Sequence, residues 1–129
     1  MGLTSSGRAA VDASAAIAWQ NVDEPFHGAA VELIAGWPEL VMHTVNLAEM
    51  LAGMDKSEWE GLIEVMREDG FTFHHTTAEQ LAEAKRATRL KMRDACVIAV
   101  AKAQGAQAVL SLDSRLIRAA RAEGFATGR

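Results

Sequence analysis

A parallel α/β sheet with helices on both faces is the fold this chain predicts. Three observations lead there. Short strand-like runs alternate with helical ones. The most apolar helical run, residues 94–103, is hydrophobic nearly all round, the mark of a helix buried on more than one side. No repeat, low-complexity linker or compositional break divides the 129 residues, so one domain spanning 1–129 is expected, with a core over about residues 9–124.

Taken in order, Arg8-Ala9-Ala10-Val11 reads as a first, Ala-rich strand ending at Asp12, and residues 13–20 as a short helix. Pro25 is a first-turn proline, placing Phe26, Ala30, Leu33, Ile34 and Trp37 on one helical face until Pro38 stops it. Leu40-Val41-Met42-His43 is a second strand, followed by a helix with Leu47, Met50, Leu51 and Met54 at helical spacing and Gly53 near its end. Ser57 with Glu60 gives a capping box for a helix buried through Trp59, Leu62, Ile63 and Met66 and closed by Gly70. Phe71-Thr72-Phe73-His74 alternates as a third strand. Thr76 with Glu79 is a second capping box, opening a helix to about Thr88. After the apolar helix, capped by Gly105, residues 108–112 form the clearest strand. Asp113 or Ser114 caps a last helix with Leu116, Ile117 and Ala120 inside, and a short strand near Phe125 would complete the sheet.

Composition excludes several classes of protein. Half of the residues are hydrophobic and 23% charged, unlike disordered or fibrous chains. A single cysteine, Cys96, rules out an internal disulfide or a thiolate cluster and suits a reducing cytosol. No apolar run approaches the roughly 20 residues that span a bilayer, and the leader, residues 1–8, lacks the apolar core of a signal peptide, so a cytoplasmic protein without membrane contact is expected. The net charge of −4 hides an asymmetry. Residues 1–84 carry 3 basic and 14 acidic side chains, whereas residues 85–129 carry 10 basic and 3 acidic ones. The last third is therefore a candidate anion-facing surface, with Lys85, Arg86, Arg89, Lys91 and Arg93 as its densest stretch.

In parallel α/β sheets ligands bind outside the carboxyl ends of the strands. Asp12 and Asp113 each follow a predicted strand, and Glu49 and Asp94 lie near the starts of helices that can begin at the same edge. Four converging carboxylates repel one another and must either hold protons or bind a cation. Oxygen-only ligands select a hard ion, Mg2+ or Mn2+, and a carboxylate-held metal beside a basic surface suits phosphodiester hydrolysis. Simpler roles stand beside this one. Asp12 and Asp113 fit plain helix N-caps, Glu49 could complete a capping box with Asn46, and Asp94 could pair with Arg93 or Lys91. Ser14 and Ser111 read as turn hydroxyls within reach of the neighbouring aspartates, the basic stretch as a solvated helix face, and Cys96 as inert core. His27, His43, His74 and His75 have no partner at ligand spacing.

The order of the pieces carries more than any one of them. Val11-Asp12-Ala13-Ser14, Asn46-Leu47-Ala48-Glu49-Met50-Leu51, Arg93-Asp94-Ala95-Cys96-Val97-Ile98-Ala99 and Leu110-Ser111-Leu112-Asp113 together resemble the four acidic motifs of PIN-domain ribonucleases, in particular VapC-like toxins of type II toxin-antitoxin systems. The resemblance implies a three-layer PIN-like fold with a central, mainly parallel sheet. It implies Asp12, Glu49, Asp94 and Asp113 as catalytic, metal-binding carboxylates and Ser111 as a supporting hydroxyl, to which Ser14 is added from its place two residues after Asp12. The implied activity is Mg2+- or Mn2+-dependent endonucleolytic cleavage of RNA, with a cognate antitoxin as partner and a homodimer; the basic stretch beside the site then predicts that some of Lys85, Arg86, Arg89, Lys91 and Arg93 contact the RNA backbone. Two other classes share parts of the pattern: a receiver-like signalling domain with an acidic Mg2+ pocket, and an inactive PIN-like module that binds RNA or protein.

Overall fold

The computed structural model describes residues 7–128; the leader before Gly7 and the terminal Arg129 lie outside the described residues. Strand β1 (Arg8–Val11) runs into α1 (Ala13–Gln20) and α2 (His27–Ile34), and β2 (Glu39–His43) into α3 (Thr44–Ala52), a 3-10 turn (Lys56–Glu58) and α4 (Trp59–Glu68). Strand β3 (Phe71–His74) leads through α5 (Ala78–Thr88) to α6 (Met92–Ala103), and β4 (Ala108–Leu110) to α7 (Ser114–Ala122). All four strands are parallel, in the order β3-β2-β1-β4. The chain leaves β1 toward β2 on one side and returns to its other side with β4, so a topological switch point lies between β1 and β4, where such sheets bind ligands.

The three layers follow from the two-residue period of the strands. Ala9, Val11, Leu40, Met42, Phe71, Ala108 and Leu110 pack with Ala15, Ala16, Ile34, Leu47, Met50, Leu62 and Met66 of α1–α4. The alternate positions Ala10, Val41 and Val109 pack with Ala84, Leu90, Leu116, Ala120 and the apolar body of α6. Cutting a side chain such as Ile98, wholly buried, to alanine should cost about 2–5 kcal/mol. Ala-rich β1 is a central strand because helices cover it on both faces, and alanines at 9 and 10 let them approach closely. Gly70 supplies the turn into β3 at φ +97°, where a Cβ would sit 2.9 Å from the Pro38 carbonyl oxygen.

Several boundaries differ from the sequence expectation. Pro25 sits in the turn before α2, which starts at His27, and Phe26 is exposed. The α1–α2 connection is held instead by His27 Nδ1 on the Ala18 carbonyl at 2.8 Å. Asn46 does not cap α3; His43 does, its Nδ1 accepting the Val45 N–H at 3.1 Å. Ser57 does not cap α4, since it lies inside the 3-10 turn and Glu58 takes the N-cap position, while Trp59 Nε1 donates to the Leu51 carbonyl at 2.7 Å. The second capping box forms one residue later, from Thr77 and Gln80, because the Thr76 hydroxyl is engaged by His43 Nε2 at 3.0 Å. Strand β4 ends at Leu110 rather than Leu112, since β1 beside it ends at Val11. The expected strand near Phe125 is reduced to one parallel bridge, Ala108 with Ala126.

Candidate active site

A cleft of about 300 Å3 opens at the switch point, lined by Asp12, Ala13, Ser14, Ile17, Asn46, Glu49, Arg93, Asp94 and Asp113. All four sequence-selected carboxylates reach it although they are spread over a hundred residues of chain. Asp12 and Asp113 are also the N-caps of α1 and α7, accepting the backbone N–H groups of Ala15 and Arg115 at 2.9 Å each, so the capping role and a place in the cleft coexist. Asp94 lies in the first turn of α6. Glu49 lies in the second turn of α3, further from the helix start than its sequence suggested. Three helix N-termini thus border the cleft, and their positive dipole ends offset the carboxylates and favour an anionic ligand.

The carboxylates differ in what surrounds them. Asp12 is 4% exposed. Ser14 Oγ lies 2.9 Å from both of its oxygens, and Ser111 Oγ donates to Oδ2 at 2.6 Å. Burial raises its pKa above the usual aspartate range despite these donors, and the charge of Asp94 adds to the rise. Asp94 makes no hydrogen bond or salt bridge through its carboxylate among the described residues. Its pKa is raised by burial first and then by Asp113 and Glu49, against the opposing charges of Arg93 and Lys91. The expected Asp94–Arg93 pair does not form; Arg93 Nη1 reaches Glu49 Oε2 at 3.3 Å instead.

The donor set suits a hard divalent cation. Carboxylate and amide oxygens surround the cleft, whereas Cys96 is buried and its thiol pKa is pushed up to about 11 by burial, with Glu49 and Asp94 adding to the rise. Among the described residues no three Asp, Glu, His or Cys side chains are grouped closely enough to hold an ion as they stand. Glu49 is engaged by Asn46 and Arg93, and Asp12 by hydroxyls and the α1 cap.

Asn46 is a residue to which sequence reasoning gave only a capping role. It is 1% exposed, and its Nδ2 donates to Glu49 Oε1 at 3.2 Å and to the Arg93 carbonyl at 3.0 Å. The available signal was a polar residue four before Met50, on the buried stripe of α3.

Of the basic stretch, Arg93 lines the cleft and Lys91 is the N-cap residue of α6, within electrostatic reach of Asp94. Arg86 and Arg89 are exposed. Arg89 ends α5 in the left-handed region, at φ 59°. Lys85 folds back to donate to the Leu90 carbonyl at 2.6 Å, bracing the α5–α6 corner.

A parallel sheet of this order, sandwiched by helices and carrying an acidic cleft at its switch point, defines a class of α/β domains with a carboxylate-lined site at the sheet edge. The particular family follows from comparison: the model of the PIN domain family matches residues 9–122, and the chain belongs to that family. The match displaces the receiver-like alternative. No curated protein matches the chain. Among solved structures, VapC20 from Mycobacterium tuberculosis, described as a sarcin-ricin loop cleaving toxin, is 21% identical with a TM-score of 0.72, over 94% of this chain and 98% of that one. A toxin-antitoxin complex from Klebsiella pneumoniae gives 18% identity and a TM-score of 0.65, over 84% of this chain and 89% of that one. PAE2754 from Pyrobaculum aerophilum gives 16% identity and a TM-score of 0.58, over 88% of this chain and 79% of that one. At these identities the likeness is one of fold.

Proposed function

We propose that this PIN-domain protein is a Mg2+- or Mn2+-dependent endoribonuclease, the toxin half of a VapBC-type pair. The observation that carries the reading is the convergence of Asp12, Glu49, Asp94 and Asp113 on one cleft at the switch point of a PIN-family sheet. The buried Asn46 side chain in the same cleft accords with it, since its amide holds Glu49 and the Arg93 carbonyl while its Oδ1 is left without a hydrogen-bond partner among the described residues. Those four carboxylates would hold the cation, with Ser111 and Ser14 orienting Asp12. Once bound, the metal would supply Lewis-acid polarisation of a phosphate oxygen and a more acidic water.

The chain's own groups prepare the rest. The N-termini of α1, α6 and α7 present a positive potential to a phosphodiester. Arg93 and Lys91 stand nearest the cleft to neutralise phosphate charge, and Arg86 and Arg89 extend the path for the RNA backbone. Lys85 contributes to that path only by leaving the Leu90 carbonyl. RNA as substrate is proposed beside the sarcin-ricin loop cleavage ascribed to VapC20, and an antitoxin partner beside the Klebsiella toxin-antitoxin complex. The reading treats residues 9–124 as one unit, places it in the cytoplasm and takes it to work as a homodimer. None of the described helices is long and apolar enough to cross a membrane.

The test is cleavage of a mixed RNA pool by antitoxin-free protein in Mg2+ or Mn2+ against EDTA, with Asp94→Asn in parallel. Metal-dependent cutting that disappears in the variant is the expected result. RNA binding without any metal-dependent cutting would instead identify an inactive PIN-like module.

A further inference from the structure

Buried polar groups are nearly always paired on every side, so a half-paired one marks a position held for another reason. Asn46 is such a group: its Oδ1 is buried without a hydrogen-bond partner among the described residues, while Nδ2 faces two acceptors. Turning the amide over would set Oδ1 against the Glu49 carboxylate and the Arg93 carbonyl, so the acceptors dictate its orientation. The unpaired oxygen costs stability that an apolar side chain of similar size would not.

What the nitrogen gains is a bond to each of two elements. One partner is Glu49, a turn further along α3. The other is the carbonyl of Arg93, the residue before Asp94 in the first turn of α6. Among the described residues the opposite oxygen of Glu49 is held only by Arg93, whose side chain is 58% exposed, and such exposed pairs are weak and exchangeable. The buried amide is the partner that stays when Arg93 is drawn to another anion.

We propose that Asn46 is a positioning residue of the acidic cleft, tying Glu49 to the α6 turn that carries Asp94 so that both carboxylates face one divalent cation. The inference rests on the metal-dependent reading above and deepens it. Asn46 touches no reacting atom; anchored on the Arg93 carbonyl, it acts by fixing where the Glu49 carboxylate stands.

The experiment titrates Mn2+ into RNA-free protein by calorimetry for the wild type, Asn46→Ala, Glu49→Ala, the double variant and Asp94→Asn, with melting followed in parallel. Asn46→Ala should weaken Mn2+ binding about 10-fold or more, in the range found for groups that orient metal ligands. The double variant should bind no more weakly than Glu49→Ala alone, because Asn46 acts through that carboxylate. A lower melting temperature with unchanged Mn2+ affinity, or losses that simply add in the double variant, would reduce Asn46 to a packing contact and overturn the inference. If Asn46→Ala does not fold, Asn46→Ser carries the same comparison. A wild type that binds no Mn2+ sinks both the functional reading and this inference. Binding that Asp94→Asn abolishes and Asn46→Ala leaves intact sinks the inference alone.

Discussion

Ser111 Oγ donates to Asp12 Oδ2 at 2.6 Å and accepts the Asp113 backbone N–H at 2.9 Å, so one buried hydroxyl joins the ends of β1 and β4 and fixes two of the cleft's aspartates. Ser111→Ala leaves the buried Asp12 carboxylate short of a donor and the Asp113 N–H without its acceptor. A loss of about 1–3 kcal/mol in denaturant unfolding is expected, whereas Ser111→Thr, which keeps the hydroxyl, should retain most of the stability and the RNA cleavage. Equal destabilisation by both substitutions would show that volume, not the hydroxyl, matters there.

Asp94→Asn should separate stability from function. Asp94 is an ionisable group in a desolvated site beside Asp113 and Glu49, which raise its pKa, and asparagine removes the charge at nearly constant volume. The sign follows from linkage: a carboxyl whose folded pKa is raised loses stability as pH rises from its unfolded value through the folded one, and the full cost is present above it. At pH 7 the variant should melt higher than the wild type and should lose the stabilisation that added Mn2+ gives the wild type. A variant that melts lower would mean that Asp94 is held by partners rather than strained.

Arg93 is expected to act on metal and RNA in opposite directions. Its bond to Glu49 is long and exposed, so Arg93→Gln should change stability by less than about 1 kcal/mol. Freed from Arg93, Glu49 should bind Mn2+ more tightly, while RNA binding weakens and its salt dependence falls by about one phosphate contact. Mn2+ titration and RNA binding at several salt concentrations check both halves, and a joint loss of the two would refute the competition.

His43 couples pH to helix α3. It is buried, its Nδ1 accepts the α3 cap bond and its Nε2 meets Thr76, and burial, with the charge of His75, lowers its pKa below the usual histidine value. The unfolded chain therefore binds more protons between that lowered value and about 6.5, and stability is lost as pH falls through this window. His43→Asn keeps a capping oxygen without the titration. Its unfolding free energy should vary less than the wild type's below about pH 6.5; parallel profiles would exclude His43 as the source.

Much of the cleft was legible because its residues announce themselves locally. Asp12 and Asp113 follow strand-like runs, Asp94 opens the most apolar helix, and Glu49 stands among Leu47, Met50 and Leu51. The four motifs in order also matched a family. Capping positions were less legible. Thr76 and Thr77 offer the same hydroxyl, and only the distant His43 ring selects between them. Pro25 and Ser57 carry start signals that the chain does not use: α2 and α4 begin two residues further on, at His27 and Trp59, whose rings bond back to the Ala18 and Leu51 carbonyls of preceding helices.

What the sequence determined by itself was the alternation of strands and helices, the identity of the four acids and the apolar character of α6, because these depend on patterns a few residues long. Tertiary structure decided that Ala-rich β1 lies centrally between β2 and β4, since small side chains become an advantage only once helices press on both faces. It also decided that Arg93 pairs with Glu49 rather than Asp94, and that Asn46 faces inward with one oxygen unpaired. Those relationships join α3 to α6 across 44 and 47 residues of chain, a distance over which no local pattern specifies which polar groups will meet.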